Sequence, residues 1–224
     1  MMSFTLTNKL FFVNQQQQKA QTGFAHKGLP MWLQRSVTLI GLVMLSPLLL
    51  LVASLIKLES QGPVLFQQTR VGEFGRRFQC YKMRSMYVKE DPKFREPEAS
   101  ESDRKGVCKK YYNDPRITII GKFIRKYSID ELPQLWNVVK GDMALIGPRP
   151  HLVSEYNEYD RNILPRLYSK PGITGLWQVS GRADTTFDEQ LELDKRYIKQ
   201  QSFVNDIKIL IATVPAVLGA KGAY

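Results

Sequence analysis

Residues Val37–Ile56, VTLIGLVMLSPLLLLVASLI, are uncharged and largely apolar, and are closed by Arg35 and Lys57. As a helix rising about 1.5 Å per residue they cover about 30 Å, the thickness of a bilayer's hydrocarbon core, and predict a membrane protein. Pro47, at the midpoint, offers no N–H to the Val43 carbonyl, and costs about 3 kcal/mol in a helix where nothing compensates. In lipid a neighbouring helix, water or a Ser/Thr side chain can make good such a break, and Ser46 stands beside this one. The segment therefore either spans with a kink or bends back and leaves by the side it entered.

Charge favours bending back. Glu59 is the first acidic residue; Lys9, Lys19, Lys27, Arg35 and Lys57 precede or flank the segment, and Arg70, Arg76, Arg77, Lys82 and Arg84 follow it. Lys and Arg prefer the cytoplasmic side, and a single span would force one basic flank across. A re-entrant membrane helix over residues 31–58, broken at Ser46-Pro47, is expected, with the protein on the cytoplasmic face of a bacterial inner membrane. A cleaved signal peptide is not expected, because the apolar run is too long, begins too late and has no small-residue cleavage pattern after it.

Residues 1–30, with Gln15–Gln18, read as an N-terminal tail, and 59–224 as one cytoplasmic catalytic domain. The formal net charge of +11 suits anionic lipid or phosphorylated substrates once a membrane segment is present. No nucleic-acid motif or interleaved basic–aromatic platform appears. Cys80 and Cys108 stand alone, and His26 and His151 are far apart, so neither a disulfide framework nor a metal cluster is expected.

Along the domain, residues 63–86 (PVLFQQTRVGEFGRRFQCYKMRSM) predict a β-hairpin turning at Gly72–Gly75. Residues 88–113 are charged and proline-containing, and read as an exposed loop. Ile117–Arg125 predicts a helix. Leu132, Leu135, Trp136 and Val139 make one apolar face of a short helix, closed by Lys140 and Gly141. Residues 147–150 (GPRP) should be extended, and 171–182 (PGITGLWQVSGR) a Gly-rich loop in which Gly172, Gly175 and Gly181 let backbone approach a ligand. Thr186–Lys199 and Ser202–Leu218 are amphipathic helical patterns, the second interrupted by Pro215. The sum is an α+β fold with a small sheet, several amphipathic helices and one re-entrant membrane helix.

The densest chemistry lies in Arg125-Lys126-Tyr127-Ser128-Ile129-Asp130-Glu131-Leu132-Pro133. Adjacent carboxylates opening a helix can be caps: Ser128 and Glu131 fit a capping box, and Asp130 fits an N-cap. Capping accounts for only one of the two acids. An ionised Asp can instead attack phosphorus while the neighbouring Glu holds Mg²⁺, with Arg125 gripping phosphate. Arg149 is aimed by Pro148 and Pro150, which suits a phosphate clamp as well as a surface turn. Lys82 and Arg84 share a strand face that is either solvated or functional. Trp32, Trp136 and Trp177 read as packing or interface anchors.

In order, the Ser-Pro apolar segment, YKMRSM, NDPRIT, SIDELPQLWNVVKGDMALIGPRP and KPGITGLWQVSGR resemble the bacterial sugar transferases, the monotopic polyprenyl-phosphate phosphoglycosyl transferases, from about Met31 to Tyr224. GRADTTF and the closing Gly222-Ala223-Tyr224 are similar to the undecaprenyl-phosphate galactose or glucose phosphotransferase branch. Beside larger members with an N-terminal four-helix membrane region, the chain has the look of a minimal catalytic form.

The resemblance implies that Asp130 attacks the β-phosphate of a UDP-sugar, releases UMP and passes a hexose 1-phosphate to undecaprenyl phosphate. That step would initiate exopolysaccharide, capsule or O-antigen (lipopolysaccharide) assembly. Glu131 would hold Mg²⁺, Arg125, Lys82 and Arg149 would bind phosphates, and Gln178 and Arg182 would lie near the nucleotide. Membrane lipids are further partners, and a homodimer is left open. A non-catalytic adaptor on anionic lipid is the competing class, but it gives Asp130 and Glu131 no task.

Overall fold

Pro47 does not end the helix it sits in. In the computed structural model, which describes residues 27–97, 114–158, 163–181 and 185–219, helix α1 runs from Met31 to Glu59 through the proline. Ser46 Oγ donates to the Val43 carbonyl at 2.7 Å, the acceptor that Pro47 leaves without its N–H. The expectations for residues 1–26, for 98–113 including Cys108, for Arg182 and for 220–224 lie outside the described residues.

Both ends of α1 dock on the globular part of the chain, and its middle does not. At the start, Leu29 N–H donates to Asp206 at 2.7 Å, and Leu145 N–H donates to Gln34 Oε1 at 2.7 Å. Arg35 gives its guanidinium to the Val139 and Lys140 carbonyls, at 2.7 and 3.0 Å. At the far end, buried Arg84 donates to the Ser60 carbonyl and adds a bond to that of Ile56, which already accepts from Ser60 N–H. The buried residues of α1 are Gln34 and Thr38 near one end and Val52 and Ile56 near the other. Between them Ile40, Val43, Met44 and Leu50 are exposed.

The hairpin forms where expected, turning at Gly72–Gly75. Strand β1 (Leu65–Val71) pairs antiparallel with β2 (Arg77–Met83), Leu65 opposite Met83 and Phe66 opposite Lys82. Phe74 and Gly75 turn the chain with φ of 53° and 76°. A short strand β4 (His151–Leu152) joins the other edge of β1. Helix α2 (Ile119–Lys126) is capped at its N-terminus by the Thr118 hydroxyl and by Glu59, whose carboxylate accepts from Ile119 and Ile120 N–H. Its Ile124 packs with Val52, Ile56 and Met83, which ties membrane helix, hairpin and α2 into one cluster.

Helix α3 (Gln134–Lys140) ends at Gly141 with φ 87°, as expected, but buries a different face. Gln134, Asn137 and Val138 are inside, whereas Trp136 is 47% exposed. The cause is the strand it meets. β2 is an edge, and Asn137 satisfies that edge by donating to the Gln79 carbonyl and accepting from Tyr81 N–H.

The chain bends at Gly147-Pro148 after β3 (Ala144–Ile146), rather than running extended. The Gly-rich stretch is not a loop. It holds β5 (Gly172–Thr174), parallel to β3, and helix α5 (Leu176–Ser180); α4 (Val153–Asn157) precedes them. Gly172 and Gly175 serve the chain's own backbone, since a Cβ on either would collide with Gly147. Helix α6 (Phe187–Lys199) opens with a Thr186–Glu189 capping box, and α7 (Phe203–Leu218) continues through Pro215 without interruption.

Candidate active site

Helix α2 winds through Ser128, in the left-handed region at φ 55°, into a single 3₁₀ turn, Ile129–Glu131, and then into α3. A serine there is locally strained, and such strain persists where surrounding packing fixes it. Neither capping alternative is realised: Ser128 makes no side-chain cap to this turn, and Asp130 lies within the turn rather than at the N-cap of α3.

Glu131 instead reaches across to β2. Its Oε1 accepts from Lys82 Nζ at 2.6 Å and from Arg149 Nη1 at 3.2 Å. Burial alone would raise its pKa, but the two cations outweigh that and hold the carboxyl well below the usual range. Asp130 has the opposite fate. It is 8% exposed and accepts no hydrogen bond from the described residues. Burial, with Glu131 adding to it, pushes Asp130 up to about 6 against the pull of Lys82, Arg125 and Arg149. Adjacent acids are thus split into a neutralised anchor and a less stabilised, more basic oxygen.

Both acids line a cavity of about 1020 Å³ that also takes in Lys82, Arg125, Arg149 and Arg70. Cations outnumber carboxylates there, which draws anions in. The structure brings together Lys82, Arg125, Asp130, Glu131 and Arg149, as the sequence reading expected of them. Gln178 lines the same cavity from α5, its amide donating to the Ile173 carbonyl and its Oε1 buried without a hydrogen-bond partner among the described residues.

Arg84 parts from Lys82, being spent on the end of α1. Arg70 was missed as a site residue. It sits on the cavity-facing side of β1, donating to the Pro150 carbonyl and to Gln68, and only the β1–β4 pairing brings it to Arg149's loop. Burial, helped by the Arg166 charge, pushes His151 down to about 3 against the opposing pull of Glu155, so it carries no charge at pH 7. Among the described residues no cluster of three or more His, Cys, Asp or Glu side chains could hold a metal ion.

Comparison with known proteins gives this geometry a context. Residues 26–220 match the family model described as bacterial sugar transferase. The galactosyl transferase CpsE of Streptococcus agalactiae is 51% identical over 163 residues, 72% of this chain and 36% of that protein. The exopolysaccharide production protein ExoY of Rhizobium meliloti is 40% identical over 190 residues, 83% of each chain. The undecaprenyl-phosphate galactose phosphotransferase of Salmonella typhimurium is 46% identical over 166 residues, 73% of this chain and 35% of that protein. The matched region therefore spans about a third of two of these relatives and most of the other.

Proposed function

This chain belongs to the bacterial sugar transferase family, and we propose that it transfers hexose 1-phosphate from a UDP-sugar to undecaprenyl phosphate, releasing UMP. One Asp130 oxygen bonds to the β-phosphorus as the bond from that phosphorus to the bridging oxygen breaks, and the bridging oxygen leaves with UMP. The acyl phosphate so formed carries the sugar. A phosphate oxygen of the lipid then attacks the same phosphorus, and Asp130 departs as carboxylate. Galactose, named in two of the relatives, or glucose is the sugar we assign, and the product enters exopolysaccharide, capsule or O-antigen assembly.

The observation that carries this reading is the unequal treatment of the dyad. Glu131 is already satisfied by Lys82 and Arg149, while Asp130 lines the cavity as a carboxylate with no hydrogen bond among the described residues. Lys82, Arg125 and Arg149 grip the diphosphate, and Gln178 serves the nucleotide. Mg²⁺ fits the donor set, because it takes one or two carboxylates and completes its shell with water and phosphate oxygens. Glu131 would hold it through Oε2, since Oε1 is occupied, and the ion would offset the charge of the diphosphate.

We assign α1 as re-entrant on the cytoplasmic face. What supports this is that its two ends dock on the same domain while the apolar stretch between Thr38 and Val52 holds no buried residue. Cysteine labelling from the periplasm should miss Thr7→Cys as thoroughly as a cysteine in the domain, and efficient labelling there would mean a simple span. Pro47→Ala restores a backbone donor and should move some molecules toward that span.

Incubation with radiolabelled UDP-galactose or UDP-glucose and no acceptor should release UMP and label Asp130. UMP release that strictly requires undecaprenyl phosphate would overturn the covalent route, and turnover of only an N-acetylated sugar would overturn the hexose assignment.

A further inference from the structure

The cavity at the dyad has an apolar outer rim as well as its basic interior. Pro63, Leu65 and Phe66 line it where β1 begins, and Met86, Val88 and Phe94 line it from the segment after β2. Phe66 is 48% exposed, an unusual place for a large aromatic on a strand. It pairs directly with Lys82 across the hairpin, so the two side chains rise from the same face about 5 Å apart at Cβ. Lys82 in turn holds Glu131. An exposed aromatic thus adjoins the cation that contacts the dyad.

The same rim begins a few residues after the membrane helix ends. Helix α1 stops at Glu59, Lys57 reaches the Gly62 carbonyl, and Arg84 fastens the helix end to the chain just after β2. Leu65 opposes Met83, which packs with Val52 and Ile56 of α1. Val64, next to Leu65, packs in the same cluster, so the apolar start of β1 adjoins the part of α1 that leaves the apolar stretch, while Lys82 makes the inner end of the cavity basic.

An apolar path from a membrane helix to a cluster of cations is complementary to a ligand with an anionic head and a long apolar tail. We propose that Leu65 and Phe66, with Met86 and Val88 opposite, form the entry groove that holds the first isoprene units of the polyprenyl phosphate while its phosphate reaches Lys82 and Arg125. This rests on the transferase reading, and it names the residues that select the acceptor. Phe66 is a binding residue for the second half-reaction alone.

The test uses the full chain in detergent with undecaprenyl phosphate. Phe66→Gln should leave UMP release and Asp130 labelling without acceptor within about twofold of wild type, and raise KM for undecaprenyl phosphate about tenfold or more, since a buried aromatic contact is lost. Phe66→Leu should restore most of the affinity. An unchanged KM in Phe66→Gln overturns the proposal, as does equal damage to the acceptor-free step. Weaker vesicle flotation with unchanged KM in detergent also overturns it, because Phe66 would then be a membrane contact. Failure of the wild type to label at Asp130 would strike the transferase reading instead.

Discussion

Two charged clusters lie inside this domain, and they differ in what they leave unfinished. At Arg166 and Asp194 a guanidinium and a carboxylate, 2% and 1% exposed, close on each other through one contact, and Asp194 Oδ1 with two Arg166 nitrogens stays buried without a hydrogen-bond partner among the described residues. At the dyad, Lys82 and Arg149 close on Glu131 and leave Asp130 beside them without a hydrogen bond from the described residues. Burial pushes both Asp194 and Asp130 up to about 6. A perturbed acid therefore does not by itself mark a reactive one. Reach separates them: Asp130 lines a large basic cavity and Asp194 does not.

The comparison breaks most sharply on substitution by the isosteric amide. Asp130→Asn removes the attacking oxygen, so UMP release should fall by at least about a thousandfold and labelling should vanish. The same change should stabilise the fold at pH 7, by up to about 3 kcal/mol, because the folded state disfavours the charge of this acid. Asp194 does not line that cavity, so Asp194→Asn should leave acceptor-free UMP release of the folded fraction within about twofold of wild type. Thermal melts beside acceptor-free UMP release decide both, and a destabilised Asp130→Asn would break the contrast.

Glu131→Gln sharpens it within the dyad. The folded state holds Glu131 below its unfolded value, so its contribution to stability is present above about pH 4.5 and is lost as pH falls further. The variant should melt lower than wild type at pH 7, and the gap should narrow on acidification. Its residual activity should rise with added Mg²⁺, and activity indifferent to Mg²⁺ would remove Glu131 as the ligand.

The smallest effect is in pH. Asp130 must be ionised to attack, so kcat/KM of the acceptor-free step should fall as pH drops through about 6, tenfold per unit below it. An acid limb near the ordinary aspartate range would mean that burial does not act on this group.

Local signals carried much of this architecture. The hairpin turning at Gly72–Gly75, the helical pattern over Thr186–Lys199 and Gly141 at the end of α3 each rest on a few neighbouring residues, and each formed as read. Asp130, Glu131 and Arg149 were legible because adjacent acids and a doubly proline-flanked arginine are unusual chemistry. What failed depended on distant partners. The apolar stripe of α3 had the right period but is only half-buried, with Trp136 exposed, because an edge strand asked for Asn137 instead. Arg84 looked like a companion to Lys82, and nothing near it in sequence revealed that the end of α1 needed a donor. Gly172 and Gly175 made room for the chain itself.

The exchange of caps at α1 bears on how the protein is made and handled. Arg35 closes α3, Glu59 opens α2, and Arg84 closes α1, so each element supplies what another lacks. During synthesis α1 emerges well before residues 84, 119 and 139, and its last carbonyls must wait for a strand not yet translated. Settling into lipid and folding the domain are consequently one cooperative event. Cutting away residues before 60 to obtain a soluble enzyme would strip two helix ends of their partners and cost buried Arg84 an acceptor, and the product should be a poorly folded fragment rather than a domain freed of its anchor.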